Sequence, residues 1–124
     1  MVKVLMIDDD MRYLEILKIM LEDDGYEVHT ATNGTELDKL IDLHEPDVVL
    51  MDVLMGTENG LVLAHDHRQK AMSSKTPFIF ISAWTGVKDI PLPTNSLRLF
   101  KPFSHSELVR AVDQAVRRNT TLVT

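Results

Sequence analysis

The chain has 124 residues, 44% of them hydrophobic, with a net charge of −6 and an isoelectric point near 5.2. That length suits a single domain burying roughly two-thirds of its unfolded surface, and the acidic balance argues against nonspecific binding to nucleic acid or anionic membranes, which rests on a basic footprint. There is no cysteine, which excludes disulfides, thiolate metal sites and thiol redox sensing.

The first apolar run, Val4-Leu5-Met6-Ile7, ends in Asp8, Asp9 and Asp10. It is too short and too acidic to be a signal peptide or a membrane span, so a soluble, cytoplasmic protein is expected. Leu14, Leu17, Met20 and Leu21 then form a helical stripe that stops at Gly25. Residues 26–31 alternate weakly as a second strand, Asn33-Gly34 marks a turn, and Leu37, Leu40, Ile41 and Leu43 predict another helix, ended by Pro46. Val48-Val49-Leu50-Met51 is the third strand and ends in Asp52. A loop over 55–60 leads to a helix through Leu61, Ala64 and His65 towards Met72, and Pro77 opens a fourth strand over 78–81, followed by Ser82.

The stretch 84–96 holds Gly86, Pro91, Pro93 and Asn95, and prolines two apart disfavour a regular helix, so a loop or one short turn is expected. Leu99-Phe100 closes a fifth strand before Lys101, with Phe100 expected in the core on the face opposite Lys101. Ser104 and Glu107 form a capping-box pair, Leu108, Val112, Ala115 and Val116 give the last helix its stripe, and Arg117 and Arg118 suit its C-terminal dipole. The strict alternation implies right-handed crossovers and an α/β fold. It is a doubly wound five-stranded parallel sheet with helices on both faces, its fourth helix short or absent. The domain spans 1–118, and 119–124 is a short polar tail.

Short apolar runs that end in a polar residue are the pattern of buried parallel strands, and open α/β sheets bind ligands outside the carboxyl ends of their strands. Asp8, Asp9, Asp52, Ser82 and Lys101 should therefore share one site. Two like charges about 4 Å apart at an effective dielectric near 20 repel by roughly 4 kcal/mol. A hard divalent cation, Mg²⁺ before Ca²⁺, together with Lys101, fits such a cluster and points to phosphoryl chemistry.

These motifs, in this order, resemble the receiver domain of two-component response regulators, CheY-like and flavodoxin-like in fold, over essentially the whole chain. Residues 3–10 resemble that family's first strand and acidic pair, and 47–52 the strand bearing its phosphoacceptor. Ser82-Ala83 resembles the hydroxyl-small pair after strand four, and Phe100-Lys101-Pro102-Phe103 the lysine followed by proline. The resemblance implies that Asp52 accepts a phosphoryl group from a histidine kinase or histidine phosphotransfer protein. It further implies that Asp8, Asp9, Asp52 and the backbone carbonyl of Leu54 hold Mg²⁺, and that Lys101 and Ser82 bind the phosphoryl oxygens. A receiver of this kind is a phosphoprotein assisting its own phosphorylation rather than an enzyme. Its output is a downstream protein target or an output domain outside this chain, and the face around 97–118 is a candidate homodimer surface.

The chain departs from the family pattern at Arg98, where an aromatic residue is usual, at Gly56, where proline is usual, and in the shortened 82–101 segment. Gly56 should loosen 55–59, and Arg98 either points to solvent or pairs with an acidic group on a partner. An interaction module uncoupled from phosphorylation is therefore one alternative. A phosphatase of the haloacid-dehalogenase type is another, with Asp8 as nucleophile in Asp8-x-Asp10, although Met11 and Arg12 depart from that motif. Asp10 reads as a helix cap. His65 and His67 point about 200° apart on a helix and cannot share an ion, His29, His44 and His105 are scattered, and Trp84 is either a partner contact or partly buried.

Overall fold

The computed structural model describes residues 1–70, 75–83, 92, 93 and 95–123, with 119–123 described by backbone alone. The elements are β1 (Lys3–Ile7), α1 (Met11–Asp23), β2 (Glu27–Ala31), α2 (Leu37–His44), β3 (Val48–Asp52), β4 (Leu54–Met55), β5 (Glu58–Asn59), α3 (Gly60–Lys70), β6 (Phe78–Ser82), β7 (Ser96–Phe100) and α4 (His105–Val123). The main sheet is parallel throughout, in the order β2-β1-β3-β6-β7. The expected doubly wound architecture is present. Beside it, β4 and β5 pair as a small antiparallel hairpin.

The apolar runs are continuous because β1, β3 and β6 are covered on both faces. Val4, Met6, Val48, Leu50, Ile79 and Ile81 pack against Leu14, Leu17 and Leu21 of α1 and Leu108, Val112 and Ala115 of α4. The alternate residues Leu5, Ile7, Val49, Met51, Phe78 and Phe80 pack against Leu37 and Ile41 of α2 and Leu61 and Ala64 of α3. Each strand therefore feeds two cores by its period-2 alternation.

Helix ends follow their local chemistry. Asp10 caps α1 by accepting from the amides of Arg12 and Tyr13. The Ser104 hydroxyl accepts from the Glu107 amide while the Glu107 carboxylate accepts from the Ser104 amide, both at 3.1 Å, a reciprocal capping box for α4. The backbone of α4 continues past Arg118 to Val123, so helical structure extends into the segment expected as a tail. Among the described residues there are four helices, and none is long and apolar enough to cross a membrane. Trp84, Gly86 and Pro91 lie outside the described residues, as does the expected continuation of α3 to Met72.

Phe100 is half-buried rather than core, as is every residue of β7. The reason is position: among the described residues β7 is an edge strand with β6 as its one neighbour.

Candidate functional site

The sheet order sets β1 directly beside β3, with β2 on one flank and β6 and β7 on the other. The chain leaves β1 towards β2 and crosses back to reach β3. This reversal opens a crevice at the carboxyl ends of the two strands. Asp8 follows β1 at one wall of it, and Asp52 ends β3 at the other.

The Asp8 side chain is only 5% exposed, and its Oδ1 accepts from the Asp10 amide at 3.0 Å. Burial pushes its carboxyl up to about 6, with the charge of Asp52 and the neighbouring Asp9 carboxyl adding to the rise, and the Asp10 amide and Lys101 opposing it. Asp9 is exposed, and Asp52 is largely covered. One oxygen from each of Asp8, Asp9 and Asp52 lies within 4.8 Å of the others. Three carboxylates, all hard oxygen donors, converge where one is already strained by burial, so the donor set fits Mg²⁺.

Lys101 is carried in from the far edge of the sheet. Its amide donates to the Ser82 carbonyl at 2.7 Å, continuing the β6·β7 ladder past the strand end, and the peptide bond to Pro102 is cis. Its ammonium lies 3.6 Å from Asp52 Oδ2 and 3.7 Å from Asp8 Oδ2. Among the described residues, one lysine stands against three carboxylates, which leaves the cluster net negative. Its Nζ also stands 4.4 Å from the centre of the Tyr13 ring, and burial, followed by the charges of Asp8 and Asp52, pushes the Tyr13 phenol up to about 12. Ser82 is buried at the end of β6 and lines a cavity of about 10 Å³ with Val53, Leu61, Phe80, Leu92, Arg98 and Phe100. That is about the space of one water. Arg98 is half-buried along this cavity, on the same face as Phe100.

The segment after Asp52 is pinned at several points. The Leu54 amide donates to Asp52 Oδ1 at 3.2 Å, and the Leu54 side chain is 67% exposed on the rim. Gly56 has φ +61°, which proline cannot adopt, so the family's usual proline is incompatible with this turn. The Glu58 carboxylate accepts from the Gly34 amide at 3.1 Å and from the Thr35 hydroxyl at 2.9 Å, tying the hairpin to the loop after β2. These bonds oppose the loosening expected from Gly56. Asn59 caps α3 by accepting from the amides of Leu61 and Val62. At Gly60 a Cβ would lie 2.3 Å from the Asp52 carbonyl oxygen, so only glycine lets α3 start this close to the acid-bearing strand.

Residue by residue, Asp8, Asp9, Asp52 and Lys101 converge as expected, and Ser82 joins them through the Lys101 backbone. The site also includes Tyr13 and Gly60, and Glu58 braces the adjoining hairpin; the sequence alone did not single out these three. An aromatic residue one turn beyond the Asp10 cap was the available signal for Tyr13, but nothing in the sequence links it to Lys101. Of the histidines, His67 is buried against Asp38 at 2.6 Å while His65 is exposed, as their spacing required. His29 and His44, expected as scattered, stack with ring centres 4.0 Å apart, and His105 bonds Asp24 at the end of α1.

With the crevice built from strand-end carboxylates and a lysine, the match to known proteins is decisive: residues 4–113 fit the model of the response regulator receiver domain. The chain belongs to that family. Among solved structures, the receiver domain resembles the chemotaxis protein CheY4 of Vibrio cholerae at 26% identity and a TM-score of 0.79, covering 93% of this chain and 98% of that one. It also resembles a response regulator receiver domain protein from Clostridium thermocellum at 26% identity and a TM-score of 0.78, covering 98% and 99%. The receiver domain of a Syntrophus aciditrophicus signal transduction histidine kinase shares the fold at 23% identity and a TM-score of 0.82, covering 94% and 91%. The protein is thus a CheY-like receiver of two-component signal transduction. Asp10, the second acid of the Asp8-x-Asp10 motif, caps α1.

Proposed function

We propose that this receiver domain takes a phosphoryl group on Asp52 from a phosphohistidine of a histidine kinase or histidine phosphotransfer protein, and that the modification changes its affinity for a protein target in the cytoplasm. The observation that carries this reading is the position of Asp52: a carboxylate on the crevice, 3.6 Å from a lysine and grouped with two further acids.

A carboxylate oxygen of Asp52 attacks phosphorus, an acyl phosphate O–P bond forms, the N–P bond breaks, and the imidazole leaves with its electron pair. Such transfers are largely dissociative, so the protein helps mainly by positioning and by neutralising the equatorial oxygens. Lys101 moves from the carboxylates to those oxygens, and the Ser82 hydroxyl, adjacent in the ladder, donates to one of them. Asp8, Asp9, Asp52 and the Leu54 carbonyl would hold Mg²⁺, which supplies the remaining charge neutralisation when bound. The acyl phosphate carries roughly −1.5 to −2 at the end of β3, where the free carboxylate carried −1. Drawing Ser82 and Lys101 towards it biases the surface formed by β7 and α4, residues 97–118, where target or homodimer contacts are placed.

The test is intact-protein mass after incubation with acetyl phosphate and Mg²⁺, beside Asp52→Asn and a chelated sample. The reading requires a single phosphoryl adduct that needs both Asp52 and the metal. An adduct indifferent to either, or none from acetyl phosphate and none from a phosphohistidine donor, would reject it.

A further inference from the structure

Among the described residues, Lys101 has an uncharged neighbour in the crevice, the ring of Tyr13. Its ammonium sits between Asp8 and Asp52 at 3.7 and 3.6 Å and at the same time 4.4 Å from the centre of the Tyr13 ring. Tyr13 is itself held from two directions. Its amide donates to the Asp10 cap at 3.2 Å, which fixes its place in the first turn of α1, and Phe103 packs against its ring edge-on, with centres 6.3 Å apart and planes at 66°. The ring is part of the packed α1·α4 side of the core.

A lysine ammonium on a flexible four-carbon stem needs something to hold it in register. The Asp52 carboxylate does this only in the resting state. Once Asp52 carries a phosphoryl group, one of the lysine's anchors has become an acyl phosphate, and the new oxygens must recapture the charge. An aromatic face attracts a cation through its quadrupole and presents no anion to compete with those oxygens. We propose that Tyr13 is the positioning residue for Lys101, its ring keeping the ammonium over the crevice so that it meets the phosphoryl oxygens as they arrive. This rests on the phosphoacceptor reading of Asp52. It assigns the ring, and not the phenol hydroxyl, as the working part.

The test is a set of phosphorylation rates with acetyl phosphate and Mg²⁺ for the wild type, Tyr13→Phe, Tyr13→Leu, Lys101→Met and the double variant Tyr13→Leu/Lys101→Met. Tyr13→Phe should stay within about twofold of wild type, and Tyr13→Leu should fall by about fivefold, the size expected for losing a partly shielded cation–π contact. In the Lys101→Met background, Tyr13→Leu should add nothing, because the ring acts through the lysine. A loss in Tyr13→Phe as large as in Tyr13→Leu, or an undiminished Tyr13→Leu effect without Lys101, overturns the proposal. A wild type that forms no Asp52-dependent adduct removes the phosphoacceptor reading instead, and this inference with it. Should Tyr13→Leu fail to fold, the wild-type spectrum decides. The Lys101 ε-protons should show a ring-current upfield shift that persists in Tyr13→Phe, and its absence refutes the contact.

Discussion

β3 and β7 are five-residue strands of one parallel sheet, and each delivers a charged side chain to the same crevice, yet they are built to opposite rules. Residues 48–51 of β3 are all buried, between β1 and β6 and under helices on both faces, and Asp52 is the projecting end of that rigid run. No residue of β7 is fully buried. Lys101 is held at its edge by a backbone bond to Ser82 and by what its ammonium touches. Asp52 is therefore fixed by the core and Lys101 by its contacts, an arrangement that suits the proposed phosphoacceptor, in which the acid stays still while the cation and edge respond.

The contrast should break most visibly on truncation. Leu50→Ala, in the centre of β3, should cost about 3 kcal/mol in urea unfolding, against about 1 kcal/mol for Leu97→Ala in β7. Equal losses would mean that the edge is as tightly packed as the centre.

Next in size is the charge stored at Asp8. Its folded carboxyl titrates at about 6 against an ordinary 3.8, so between those values the folded state binds more protons than the unfolded chain. In metal-free protein, stability should therefore fall as pH rises from about 4 to 6 and then level off, by up to about 3 kcal/mol in total. Asp8→Asn should remove that slope and raise the melting temperature at pH 7 with chelator present, while weakening Mg²⁺ binding. A metal-free stability that rises through this window in the wild type and is unchanged by Asp8→Asn would contradict the assignment.

Gly60→Ala should destabilise by about 1–3 kcal/mol, since the added methyl meets the Asp52 carbonyl. It should also slow adduct formation, because relieving the clash moves the acceptor strand or the start of α3. The same substitution at Gly25, where a Cβ meets nothing within 4 Å but φ is +89°, gives a control that strains the backbone away from the site. Smallest is Glu58→Ala, expected to cost about 1 kcal/mol. Its effect is local: the Gly34 amide should lose protection from hydrogen exchange, while β3 amides keep theirs.

The sequence showed most of what the core determines. Runs buried on two faces are continuous in sequence, so β1, β3 and β6 could be placed, and the polar residue ending each run marked Asp8, Asp52 and Ser82. What it hid depends on the third dimension. The β4·β5 hairpin has two residues per strand, too few for any periodicity. Tyr13 and Lys101, and His29 and His44, come together only through the fold. Phe100 was misplaced because alternation tells which face a residue is on, and not whether the strand lies at an edge. The helical run beyond Arg118 was missed because Asn119, Thr120 and Thr121 carry no apolar stripe.

The most direct test of the central claim is to locate the phosphoryl group. Phosphorylated protein is reduced with borohydride, which converts an aspartyl phosphate to homoserine, and its peptides are sequenced by mass spectrometry. Homoserine is expected at position 52 alone, and none without Mg²⁺. Homoserine at position 8, or an adduct that survives reduction unchanged, would contradict it.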